Sequence, residues 1–233
     1  MKSLIIGALG MAAVILASVE GEMGNYIQYH AMVLVLGGTI MLFFFVTPGP
    51  VFKTLGKTFK MLTSPEEAFT DYSSELSQLA KTKRLPAPSK NRLIRYAQEL
   101  WEQGIDTHLF VSLLSQRRIE LENETIDAVQ TLKNLSKYPP ALGMTGTVMG
   151  MIALFSELDG NQQKIGANIA LAMTATFFGL IVANGAISPL SDRLQVRHVN
   201  RKRMISNIYQ ILLLINQGEA SKLISDEVDQ RVA

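Results

Sequence analysis

Four stretches of this chain carry no formal charge: Ser3–Val19, Tyr29–Val46, Tyr138–Ser156 and Ile165–Leu190, of 17, 18, 19 and 26 residues. A helix rises about 1.5 Å per residue, so about 20 apolar residues cross a hydrocarbon core roughly 30 Å thick. A charge at the centre of such a helix costs roughly 2.5–3.5 kcal/mol, whereas each Leu, Ile, Phe or Val contributes about −0.3 to −0.6 kcal/mol. Helices of a water-soluble bundle would carry a charged face, and these runs have none. The expected fold is an all-α membrane protein with four transmembrane helices and a helical cytoplasmic domain.

Charge placement sets the expected topology. Of the 22 lysines and arginines, 13 lie between Lys53 and Lys137 and seven between Arg193 and Arg231; Glu20–Gln28 has none and Glu157–Lys164 only one. Basic loops stay on the cytoplasmic side. The expected order is therefore residues 1–50 with the first two spans (about 3–19 and 29–47), 51–137 as a cytoplasmic helical domain, and 138–190 as the third and fourth spans. A short external loop, 157–164, joins those two, and 191–233 form a cytoplasmic helical tail, with both termini on that side. The alternative reads Met1–Val19 as a cleaved leader with a loose site at Ala17-Ser18-Val19. That would leave three spans and separate the basic loop from the basic tail across the membrane. The chain has no cysteine, hence no disulfide framework or thiol metal site.

Between the spans the pattern becomes amphipathic. Pro48 and Pro50 stop the second span. Ser64-Pro65-Glu66-Glu67 predicts a helix start, and Arg84-Leu85-Pro86-Ala87-Pro88 a proline-broken turn. Ser89 is the expected cap of a helix through Leu93, Ala97 and Leu100, stopped by Gly104. Asp106 is expected to cap one long helix from Thr107 towards Lys137, bending at Pro139-Pro140. The tail continues past Pro189 as a basic helix that Gly218 breaks, with Glu219–Ala233 a peripheral or frayed end.

The residues offer no enzyme signature. There is no P-loop, nucleophile elbow, dinucleotide fingerprint or metal-binding His pair, no catalytic or metal site is expected, and the basic residues are explained by topology without nucleic acid. His30, His108 and His198 are far apart and expected at surfaces or interfaces. The spans contain no Asp, Glu, Lys or Arg, whereas ion pathways ordinarily carry an ionisable residue at membrane depth. An ion-conducting role would need a partner chain's carboxylate, with this chain supplying hydroxyls. Thr145 and Thr147 face different sides of one helix, so one of them lines a given path; threonine hydroxyls bonded back to a carbonyl one turn earlier are the silent alternative. Gly146 and Gly150 form a GxxxG step suited to close helix approach. Gly37 and Gly38 mark either a packed face or a tolerated flexible pair. The Lys81, Lys83, Arg84 cluster reads as a solvated turn, a lipid-headgroup contact or a protein-docking site.

Pro139-Pro140-Ala-Leu-Gly-Met-Thr-Gly-Thr-Val-Met-Gly150 resembles the third span of MotA and PomA, in the MotA/TolQ/ExbB proton channel family. Ala170-Leu-Ala-Met-Thr-Ala-Thr-Phe-Phe-Gly179, with Ala183-Asn184 and Ser188-Pro189-Leu190, is similar to the fourth, and Leu34-Val-Leu-Gly-Gly-Thr39 to the glycine-rich second. The resemblance implies the A subunit of an ion-driven flagellar stator in the bacterial inner membrane: a pentameric ring around a MotB/PomB-like B subunit. That partner has a peptidoglycan-binding domain and a transmembrane aspartate that binds the ion. By position it implies Thr147 and Thr176 facing that aspartate, and Pro140 and Pro189 coupling conformation at the inner ends of the spans. Ala175 falls where sodium-driven members tend to carry a second threonine, which favours transported protons (H+) over the alternative, sodium (Na+). No cofactor is implied. The family's Arg-rich turn followed by Gly-Leu-Leu-Ala-Leu-Glu is replaced by Lys83-Arg-Leu-Pro-Ala-Pro-Ser-Lys90, leaving Arg84, Lys83 and Lys90 as candidates for contact with a flagellar rotor protein. The runner-up is an ExbB/TolQ-like energiser of an envelope process or a stator with a non-flagellar load; a passive membrane scaffold is a third class.

Overall fold

The computed structural model describes residues 2–18, 28–64, 67–157 and 162–218, and every regular element within them is helical. The Glu20–Ile27 turn, most of the loop after Glu157 and the segment Glu219–Ala233 lie outside the described residues. The chain forms two compact units: Met1–Thr63 with Ala128–Gln195, and Ser64–Asp127 with Val196–Ala233.

Unit one holds α1 (Lys2–Ser18), the helical stretch Tyr29–Val46, α4 (Gly49–Thr63), most of α8 (Ile126–Leu135), α9 (Tyr138–Ser156), α10 (Gln162–Leu180) and the first residues of α11 (Ser188–Gln217). Tyr29–Val46 is α2 (Tyr29–Met32) and α3 (Gly38–Val46) joined by a π-wound segment, Val33–Gly37. A second π-wound segment, Ile181–Ile187, joins α10 to α11. Among the described residues, three stretches of helix are apolar and long enough to cross a membrane: Tyr29–Val46, one within Thr107–Ser156 and one within Ile165–Gln217. Their large side chains point outward: Phe45 is 88% exposed, Met173 71%, Ile152 64% and Phe155 63%. Such a surface is stable only against lipid or further protein.

α9 and α10 form an antiparallel hairpin, because Gly179 meets Pro139 at one end and Gly150 meets Asn168 and Ala172 at the other. Tyr29–Val46 packs on α9, also antiparallel, with Leu34 against Gly146 and Leu142 against Gly38. The second span ends where expected: Thr47 is extended (φ −86°, ψ 116°), the conformation a following proline imposes.

Unit two has its own core. Leu76 and Leu79 of α5 (Ser73–Thr82), Leu93, Ile94 and Ala97 of α6 (Arg92–Glu102) and Phe110 and Leu114 of α7 (Thr107–Asn123) pack with Ile208, Ile211, Leu212 and Ile215 of α11. Each leucine, isoleucine or phenylalanine among them contributes about 1.5–3 kcal/mol when fully buried. Trp101 stacks on Phe110 and donates its indole N–H to Asn216 at 2.9 Å.

Three local expectations change. Glu67 and Ala68 are non-helical; the chain re-enters helix in a 3-10 turn, Phe69–Tyr72, closed by Asp71 accepting from the Ala68 N–H at 2.9 Å. The α6 cap is Asn91, whose Oδ1 accepts from the N–H groups of Leu93 (2.9 Å) and Ile94 (3.4 Å). Ser89 instead donates to Glu75 at 2.5 Å and accepts from the Asn91 N–H. The expected 107–137 helix breaks at Glu124 and Thr125, whose side chains turn inward to Arg92, Arg201 and His198. Asp106 does cap α7, accepting from the His108 N–H at 3.0 Å, and Gly104 (φ +66°) and Gly218 (φ +78°) stop their helices in the left-handed region. Asn91→Ala is expected to destabilise unit two by about 1 kcal/mol, the usual worth of an N-cap, seen as a lower unfolding midpoint by circular dichroism in detergent.

Candidate functional site

The hairpin's inner face carries the only hydroxyl-to-hydroxyl contact between its helices among the described residues. Thr147 Oγ1 and Thr176 Oγ1 lie 2.5 Å apart. Thr147 Oγ1 is also 3.2 Å from the carbonyls of Gly143, one turn back on its own helix, and Ala172, on the facing one. Thr176 Oγ1 is 3.3 Å from the same Gly143 carbonyl. Thr147 thus combines the silent back-bond with a cross-helix contact. Thr145 is exposed and bonds only back to Ala141 (3.0 Å), and Thr174 bonds back to Ala170.

Glycines make this contact possible. A Cβ on Gly146 would sit 2.5 Å from the Ala175 methyl, one on Gly150 2.8 Å from the Ala172 methyl, and one on Gly143 2.9 Å from the Ala175 carbonyl. At that approach the two backbones supply carbonyls to each other's threonines. Ala175 is fully buried in this seam against Gly146. Gly143 and Gly179 belong to the same seam. The Gly143, Gly146, Gly150 spacing, one helix face, is the signal that finds the first. Gly38 packs on Leu142, while a Cβ on Gly37 would meet nothing within 4 Å.

The remaining candidates lie elsewhere. Pro140 stands in the first turn of α9 and is half-buried; Pro189 is exposed in the first turn of α11. Lys83, Arg84 and Lys90 are all exposed on the segment between α5 and α6. Lys83 caps α5 in the left-handed region (φ 53°), and the Thr82 hydroxyl donates to the Arg84 carbonyl at 2.8 Å.

Unit two contains a partly buried ionic cluster around Glu122 and Glu124. Glu124 lies 2.8 Å from Arg92 and 3.1 Å from Arg201, and Glu122 lies 3.5 Å from Arg118 and 3.8 Å from Lys202. Burial pushes the Glu124 carboxyl up, but the two guanidiniums outweigh it and hold its pKa below the usual value. His198, buried and 2.9 Å from the Thr125 hydroxyl, has its pKa lowered, first by burial and then by Lys202 and Arg201, with Glu122 opposing. It sits in the interior, between α11 and the turn at Thr125. Both shifts destabilise the fold in acid. The unfolded chain takes up a proton at histidine below about pH 6.5 and at glutamate below about 4.3, while the folded chain resists until lower pH. The melting temperature is expected to fall as pH drops from about 7 to 5, with a further fall below about 4.3. His198→Gln, which keeps a hydrogen-bonding side chain without titrating, should flatten the first step in a melting series against pH.

Fold and seam together define a helical membrane protein whose hairpin encloses paired hydroxyls. The profile of the MotA/TolQ/ExbB proton channel family matches residues 87–207, just over half of the chain, and the chain belongs to that family. It is 22% identical to Motility protein A of Treponema pallidum, over 96% of this chain and 90% of that one. It is 25% identical to Chemotaxis protein PomA of Vibrio alginolyticus, over 92% and 88%. Its fold is that of the C. jejuni MotAB structure (TM-score 0.82, 18% identity, 99% of this chain and 95% of that chain). The flagellar MotAB stator complex from Bacillus subtilis aligns similarly (0.80, 19%, 97% and 92%).

Proposed function

We propose that the chain is the A subunit of an ion-driven rotary stator complex that converts ion-motive force into torque for flagellar motility. The observation that carries this reading is the Thr147–Thr176 pair, a polar point inside a hairpin whose charge-free runs leave any ion-binding carboxylate to a partner. Relatives named for motility and solved MotAB complexes support the same role.

In this reading α1, 17 residues and about 26 Å long, is the first of four crossings of the bacterial inner membrane, and both termini are cytoplasmic. Residues 51–137 and 191–233 form the cytoplasmic part. Five copies surround a MotB/PomB-like B subunit whose aspartate faces Thr147 and Thr176. Pro140 and Pro189, at the same end of the spans, couple ion binding to movement of the cytoplasmic part. Lys83, Arg84 and Lys90, on one exposed segment, offer cations to an acidic rotor surface. Protons are favoured: Ala175 is closed into the seam, leaving few oxygens for a sodium ion, which needs a shell of several. The altered Lys83–Lys90 segment favours, as a second reading, the same motor acting on a different cytoplasmic load.

Swimming of cells lacking this chain and then supplied with it tests the role. Restored swimming that an uncoupler stops and sodium removal leaves intact is expected. Swimming unaffected by the chain's loss would overturn the flagellar reading.

A further inference from the structure

At the end of unit one that bears Pro48, Pro140 and Pro189, α3 ends, α9 begins and the π-wound segment after α10 passes into α11, as the antiparallel contacts require. Two hydroxyls at this end are buried and unpaired. Thr47 is 6% exposed and Ser191 2%, and neither side-chain oxygen has a hydrogen-bond partner. Among the described residues of unit one, the amide nitrogen of Asn168 is the one other buried side-chain atom in that state, and it lies towards the opposite end, where Asn168 meets Gly150. Burial alone does not strand a hydroxyl. Thr39 and Thr58 are as deeply buried, yet they donate to the carbonyls of Val35 (2.5 Å) and Thr54 (2.8 Å), one turn earlier.

The backbone at this end is short of donors as well. The last carbonyls of α3 have no intrahelical partner, and Pro48 and Pro50 bring no N–H to them. In the π-wound segment the Ser188 N–H reaches the Ala183 carbonyl. The next carbonyl, that of Asn184, falls to Pro189, which has no N–H. Both hydroxyls border one apolar cluster. The Thr47 N–H bonds the carbonyl of Phe43 at 3.0 Å, and Ser191 stands one turn before Leu194, on the same face of α11. Leu194 and Leu55 belong to that cluster, and Phe43 packs against it. Unpaired hydroxyls and carbonyls are costly when dry. Water both donates and accepts, so it satisfies the two kinds of group together.

We infer that Thr47 and Ser191 hold ordered water at this end of unit one, and that the transported ion leaves the spans through it. The ligand follows from the groups left open: hydroxyls that can donate or accept, beside carbonyls that only accept, a set that suits water. That water gives the ion a polar route past side chains that are otherwise apolar. The exit route rests on the proposed motor; the water site does not.

The chain has no cysteine, so Thr47→Cys and Ser191→Cys each place a single thiol at the site. The test uses the full complex in membrane vesicles treated with silver ions, which follow water into passages too narrow for organic reagents. Protection from alkylation after denaturation is read by mass spectrometry. Both thiols should react at least about tenfold faster than that of Leu194→Cys, at a position 1% exposed, because a thiol in dry apolar surroundings ionises less. The double variant Thr47→Val, Ser191→Ala removes both hydroxyls at nearly unchanged shape. It should lower ion flux about tenfold, about the worth of one hydrogen bond on the limiting step, without raising the melting temperature. Thiols no more reactive than Leu194→Cys overturn the water site. So does a melting temperature raised by the double variant, the result expected when dry, unpaired hydroxyls are removed. Reactive thiols with unchanged flux in the double variant overturn the exit route alone. Reactive thiols in a wild-type complex that carries no flux refute the motor and leave the water site standing. If the double variant does not fold, the silver reactivity decides.

Discussion

Thr176→Ala is expected to lower ion flux through the complex at least tenfold, equivalent to about 1.4 kcal/mol on the limiting step, while assembly is retained. The two effects separate because of how the hydroxyls are wired. Thr147 keeps the Gly143 and Ala172 carbonyls when its partner is removed, so no buried donor is orphaned. The stability loss should be about 0.5–1.5 kcal/mol, that of one hydrogen bond. A transported ion meeting the pair would lose one of its two hydroxyl oxygens. Thr176→Ser keeps that oxygen and should retain most of the flux. Vesicles with the reconstituted complex and a pH-sensitive dye give the readout, and wild-type flux from Thr176→Ala would remove the pair from the pathway.

Gly146→Val should be the most damaging single change within the hairpin. Its first added carbon already falls 2.5 Å from the methyl of the fully buried Ala175 and 3.0 Å from the Leu34 side chain, so the facing helix must move to admit it. Overpacking typically costs about 1–3 kcal/mol, and here it also opens the gap that Thr147 and Thr176 bridge. Loss of the folded protein from membranes is expected, or a sharply lower melting temperature in detergent. Gly146→Ala with Ala175→Gly exchanges the methyl across the seam and should recover part of the loss, a coupling that contacting residues show and distant ones lack. Gly37→Ala meets nothing within the chain and should leave the monomer's stability nearly unchanged.

Much of this architecture is written in charge and periodicity. The uncharged runs suit membrane helices because burying a charge there is costly, and helices cover them at 29–46 and 138–156 and run through 165–190. Asp106, Gly104, Pro48 and Gly218 act locally and do in the structure what their chemistry predicts. Contacts between distant residues are the parts that pattern reading does not reach. The break at Glu124 and Thr125 depends on Arg92, Arg201 and His198, dozens of residues away. Asn91 outcompetes Ser89 as a cap because Glu75 engages the serine. The π-wound segments leave no mark in hydropathy, since one extra residue in a turn barely alters an already apolar run. At the site, family resemblance rather than spacing points to Thr147 and Thr176, and the fold places their hydroxyls in contact. Their shared use of the Gly143 carbonyl is visible only once the helices are packed. Ala175, read as a pathway position, sits closed in the seam, where its small size sets the helix separation.

The most direct test of the motor itself is the mass of the complex purified in detergent with the product of the neighbouring gene. A ring of five copies of this chain around two copies of a single-span, aspartate-bearing protein is the predicted result. A stable assembly of this chain alone would leave the threonine pair with no carboxylate to face, and would contradict an ion-driven motor.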